Sequence, residues 1–184
     1  MAGPGLLTRT LEARLLDARA FAPYGTLIDP ASVQPESIND GSTARHSGLA
    51  TLDLRGPDRD PVIGIYVARA RQFPLAIAKL ECHRQASQVF LPLGEHRFVV
   101  VVAPGRDAPR WDRIEAFVTA PGQGVCLHRG CWHHGLVALG DGDRFAVIEG
   151  GNYRSDTIEV ASPAPIQLLS PALRGGQGGS LLLT

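Results

Sequence analysis

The chain has 184 residues, and its 18 Lys and Arg are matched by 18 Asp and Glu. That length fits one domain of roughly 100–200 residues. Zero net charge excludes the basic excess on which nucleic-acid and anionic-membrane binders depend. At 44% hydrophobic the chain can build a core, while 21 Gly and 14 Pro favour turns over long helices.

No apolar run approaches the roughly 20 residues needed to span a bilayer, so no membrane association is expected. The stretch Met1 to Leu7 lacks the charged and apolar regions of a signal peptide. Three cysteines, Cys82, Cys126 and Cys131, are an odd number without a CxxC pair. They read as reduced thiols of a cytoplasmic protein.

In chain order, residues 1–10 read as an N-terminal extension. Leu11 to Leu16 fits a strand or a helical turn. Asp17 is placed to cap a short helix through Phe21, which Pro23 and Gly25 would stop. Residues 29–48 read as a loop with a turn at Asn39-Asp40-Gly41. Short strand-like runs then follow at Val62–Ala68, Leu75–His83, Val89–Leu91, Phe98–Ala103, Ile114–Thr119, Gly124–His128 and Phe145–Glu149. Many short strands with frequent turns predict an all-β sandwich or barrel spanning residues 11–160. Residues 161–184, rich in Pro and Gly, read as a tail, and Leu181–Leu183 would pack on the core or on a neighbouring subunit.

Two segments carry the chemistry. In Lys79-Leu80-Glu81-Cys82-His83, strand alternation puts Lys79, Glu81 and His83 on one face. That polar row either meets solvent or lines a cavity. The second segment, His128-Arg129-Gly130-Cys131-Trp132-His133-His134, holds three histidines within seven positions. Such a cluster supplies acid/base groups or metal ligands near neutral pH. In an extended chain only one of His133 and His134 can face inward.

The spacing Glu81-x-His83, then Gln88, then Gly94 resembles the first cupin motif, and His128-x-Gly130-x-x-His133 resembles the second. Glu81 stands where that motif carries histidine, Gln88 where it carries glutamate and His128 where it carries proline; His83 and His133 are unchanged. These departures themselves resemble the ureidoglycolate lyase family. The resemblance rests on Phe21-Ala22-Pro23-Tyr24-Gly25, on Ile38-Asn39-Asp40-Gly41 with Arg45-His46, and on Leu80-Glu81-x-His83 with Gln88-x-Phe90-x-Pro92. It continues through Val99–Ala103 with Gly105, Ala116-Phe117, and Gly124-Val125-x-x-His128-x-x-x-Trp132-His133-His134, the most specific string, and ends at Phe145-x-x-Ile148-x-x-Gly151. Asp40 replaces an expected asparagine.

The resemblance implies a cupin-type β-barrel, or double-stranded β-helix, with short peripheral helices. It implies a homodimeric enzyme of allantoin catabolism that acts on a small molecule and cleaves ureidoglycolate to glyoxylate and urea. Such a site needs a base or Lewis acid at the hydroxyl, a cation for the carboxylate and hydrogen bonds for the ureido group. His83, His133 and Glu81 are assigned to the hydroxyl end, directly or as ligands of a divalent metal, nickel or manganese. Arg45 is assigned to the carboxylate, Asn39 and Gln88 to the ureido group, His128 to the spare acid, and Trp132 to the substrate pocket. Other readings remain for several of these residues. Arg45 is also explained as a surface ion pair, Asn39 by its turn alone, and Glu81 by pairing with Lys79 or Arg84. Two rival functions share the fold: action on another ureido or 2-hydroxy acid, and non-catalytic metabolite binding.

Overall fold

The computed structural model describes residues 8–56, 60–151 and 153–172. Leu181–Leu183, the Gly-rich run before them and most of the expected N-terminal extension lie outside the described residues.

The apolar run Phe98–Ala103 organises the molecule. All six of its residues are buried, because both of its faces meet a hydrophobic core. It lies inside a seven-stranded sheet, between Trp132–His133 and Val137–Ala138 on one side and Glu115–Val118 on the other. Val100 and Val102 face one core, which they share with Phe90, Val125, Phe145 and Val147 of a five-stranded sheet. Val99, Val101 and Ala103 face the other core. Leu75, Ile166 and Leu168 of a three-stranded sheet cover that side. Three stacked sheets therefore enclose two cores. The two α-helices described, Ala18–Phe21 and Tyr153–Asp156, are a single turn each, and the architecture is all-β, as expected.

Local chemistry accounts for the punctuation. The Asp17 carboxylate accepts from the Ala20 amide and caps the first helix. Gly25 follows because a Cβ there would lie 2.4 Å from the Cys126 carbonyl oxygen. Asn39, Asp40 and Gly41 turn the Glu36–Ile38/Thr43–Arg45 hairpin with φ of 50°, 54° and 85°. This is the left-handed region that Asn, Asp and Gly tolerate best.

Several expected boundaries move. The run 75–83 splits into Leu75–Ala76, in the three-stranded sheet, and Lys79–His83, in the seven-stranded one. Arg9–Leu11 pairs in parallel with Ile166–Leu168, so parts of the expected extension and tail belong to the fold. The strand Thr157–Ala161 pairs along the whole of Lys79–His83, and the expected loop 29–48 contains a hairpin. No helix among the described residues is long and apolar enough to cross a membrane. All three cysteines are free and buried.

Candidate active site

Strand register brings the polar residues together. On Lys79–His83 the alternation holds as expected, with Leu80 and Cys82 in the core beneath the three-stranded sheet. Glu81 lies directly opposite His133 in the neighbouring strand. The facing sheet contributes Gln88 and, one step beyond the Ile148–Val89 pair, Glu149. His83, Gln88, His133 and Glu149 are all buried, while Glu81 keeps 24% of its side chain exposed. A buried polar cluster on otherwise apolar sheet faces must satisfy its own hydrogen bonds.

It does so through His133. Its Nδ1 lies 3.0 Å from the Cys131 carbonyl oxygen, which only accepts, so Nδ1 donates. Its Nε2 lies 3.1 Å from Gln88 Oε1 and 3.3 Å from Glu81 Oε1. Gln88 Nε2 in turn donates to Glu149 Oε2 at 2.8 Å. The His83 ring stacks at a tilt on His133 with centroids 5.3 Å apart. Its Nδ1 sits 3.3 Å from Thr157 Oγ1, and its buried Nε2 has no hydrogen-bond partner among the described residues. That nitrogen is free to bond a ligand group.

The electrostatics separate the groups. Burial raises the Glu81 pKa, but the His133 hydrogen bond and the nearby histidine charges outweigh it and hold Glu81 below the ordinary carboxylate value. Burial and the neighbouring His133 push His83 down, favouring neutral imidazole. Burial pushes Glu149 up, only partly offset by the Gln88 hydrogen bond.

Glu81, His83 and His133 each offer one donor atom within 4.8 Å of the others. Two imidazoles and a carboxylate suit a first-row divalent ion. The Cys131 carbonyl braces His133 as metal-ligating histidines usually are, and the unpartnered Nε2 of His83 is the kind of atom an ion would take up. The residues therefore fit a metal.

The other expected site residues fall elsewhere. His134, just past the strand, meets the Gly135 carbonyl through Nδ1. Trp132 projects from the opposite face of its strand into the core beneath the three-stranded sheet. His128 is exposed on the loop before Trp132. It lines a separate hollow of about 250 Å³ with Tyr24, Gly105 and Cys131, away from the acid/base cluster. Arg45 is exposed and paired with Glu36 on the hairpin, and Asn39 bonds Thr43 in the same turn. Among the described residues neither bonds a member of the cluster. Lys79 pairs with Glu159, not with Glu81. Glu149 escaped the sequence reading because it ends a run of ordinary strand residues. The one available sign was a carboxylate after the apolar run Phe145–Ile148 in the strand Arg144–Gly150.

The family model described as ureidoglycolate lyase matches residues 8–169. The ureidoglycolate lyase of Stutzerimonas stutzeri is 42% identical over 141 residues, covering 77% of this chain and 83% of its own. That of Azotobacter vinelandii is also 42% identical, with 85% of its length covered. That of Pseudomonas aeruginosa is 41% identical, with 83% covered. A match across the three sheets and the whole cluster, with relatives this similar over most of their length, makes this chain a member of the ureidoglycolate lyase family.

Proposed function

We propose that this protein cleaves ureidoglycolate to glyoxylate and urea. The observation that carries the reading is the pairing of His83, whose buried Nε2 has no partner among the described residues, with a His133 whose Nδ1 faces the Cys131 carbonyl and whose Nε2 faces Gln88 Oε1 and Glu81 Oε1. Neighbouring groups whose environments differ in this way divide into base and acid. His83 Nε2 takes the substrate hydroxyl proton, the C–N bond breaks as the carbonyl forms, and the Nε2–H of His133 protonates the departing nitrogen. Glu81 steadies the charge on His133, and Gln88 bonds the ureido group. In a metal-loaded form, Glu81, His83 and His133 would instead hold a divalent ion, nickel or manganese, with the two imidazoles as ligands rather than as base and acid. When bound, such an ion acts as a Lewis acid on the hydroxyl. The test is release of both glyoxylate and urea from ureidoglycolate by the purified protein, with and without exhaustive chelation. Ligand-induced thermal stabilisation without either product would replace this reading with simple metabolite binding.

The carboxylate needs a cation, and Arg71 is better placed than Arg45. Its backbone amide bonds the Ala138 carbonyl, which sets it over the segment leaving His133. Its charge contributes to the lowered pKa of His134, after burial, and it has no ion-pair partner among the described residues. Replacing Arg71 with Ala should raise KM for ureidoglycolate about tenfold or more with a smaller effect on kcat, as expected from losing an ionic hydrogen bond of roughly 1.5–3 kcal/mol. An unchanged KM would remove Arg71 from the site.

A second copy of the chain is proposed to cover the edge of the five-stranded sheet, beyond the part of its outer face that Leu49, Ala50 and Leu52 already cover. On its edge strand Pro61–Val67, Ile63, Ile65 and Val67 are 74%, 50% and 69% exposed. They lie in one row beside Ile148 and Ala146. An apolar edge of this kind invites pairing, and a two-fold arrangement lets one patch bury its own copy. Sedimentation of Ile63→Lys/Ile65→Lys should show monomer where the parent protein shows dimer.

A further inference from the structure

Glu149 does not touch His133, yet it governs what His133 meets. Glu149 Oε2 accepts from the Gln88 amide nitrogen. Glu149 therefore obliges Gln88 to turn its amino group toward Oε2, at 2.8 Å. The Gln88 carbonyl oxygen must then face His133 Nε2, at 3.1 Å. The two ends of an amide have nearly the same shape, so packing alone cannot choose between them; a hydrogen-bond partner must. Reversed, the amide would present an N–H to His133, and the nitrogen that meets Glu81 would lose one of its two acceptors.

We propose that Glu149 is a positioning residue that locks the Gln88 amide with its oxygen toward His133. The carboxylate found at position 88 in the cupin motif is displaced here to the next strand, and it acts on the histidine through an amide. A bare carboxylate beside His133 would add a second negative charge to that of Glu81. The relay supplies an acceptor without the charge, and the buried site keeps one anion in contact with the histidine rather than two. The inference deepens the lyase reading and rests on it for its kinetic readout.

The test compares the parent protein with Glu149→Gln and with the exchanged pair Gln88→Glu/Glu149→Gln. In Glu149→Gln two amides face each other and neither fixes the other's orientation. Glyoxylate release should fall about tenfold or more in kcat with KM little changed, in line with losing one directed polar contact in a transition state. Thermal unfolding should stay close to that of the parent protein. The exchanged pair should recover part of the loss, because the carboxylate moved to position 88 again offers an oxygen to His133, though with a second negative charge, while the amide moved to position 149 donates to that carboxylate. A purely structural role would not produce that recovery. Side-chain amide NMR reads the same point without any turnover. Gln88 should give one slowly exchanging pair of resonances in the parent protein, broadened or doubled in Glu149→Gln. Unchanged resonances, or parent-like kcat in Glu149→Gln, would overturn the inference. An inactive parent protein with the expected NMR change would overturn the lyase reading and leave the role of Glu149 standing.

Discussion

Replacing His133 with alanine should lower kcat/KM for glyoxylate release by about 10²–10⁴-fold, the range of a lost general acid or base. His133 is 1% exposed and joins the Cys131 carbonyl, Gln88 and Glu81. The substitution removes the proposed proton donor and leaves buried acceptors without that partner. The second effect should cost about 1–3 kcal/mol of stability, visible in denaturant unfolding but too small to unfold a typical domain. His128→Ala is the matched control. His128 is exposed and lies outside the cluster, so its removal should leave both rate and stability near the parent values. Near-normal turnover in His133→Ala would sink the assignment of the acid, and a loss equal to it in His128→Ala would sink the location of the site.

Trp132 should show the opposite pattern. It is fully buried between the seven- and three-stranded sheets, and truncation to alanine should cost about 3–5 kcal/mol. For a protein of this size that corresponds to a fall of very roughly 6–20 °C in Tm. Trp132→Phe should be far milder. The indole Nε1 has no hydrogen-bond partner among the described residues, so phenylalanine gives up volume but also removes a buried orphan donor. If Trp132 only packs, Trp132→Phe keeps the parent KM for ureidoglycolate. A KM raised tenfold in a well-folded Trp132→Phe would return the residue to the substrate pocket.

The contrast between these adjacent residues shows what was legible in the sequence. The period-two alternation required one of His133 and His134 to face inward, and it separated Glu81 and His83 from Leu80 and Cys82. It could not say which face was which, because Trp132 looks as suitable for a pocket as for a core. The choice came from the partner strands. Register sets Glu81 against His133, and the three-stranded sheet covers the opposite face. Arg45 failed to reach the cluster for a similar reason: a guanidinium in a polar loop carries no local sign of where its hairpin folds. Its partner Glu36 stands directly opposite it in that hairpin.

The sequence by itself determined the all-β architecture, the Asp17 cap, the Asn39–Gly41 turn, the buried Phe98–Ala103 strand and the two segments that carry His83 and His133. Each of these depends on interactions a few residues apart: side-chain period, capping chemistry and permitted backbone dihedrals. Only the tertiary structure decided that Gln88 and Glu149 complete the cluster and that Trp132, His128, Arg45 and Asn39 stand outside it. Those placements depend on which strands pair and in what register, which is set by the burial of whole sheet faces.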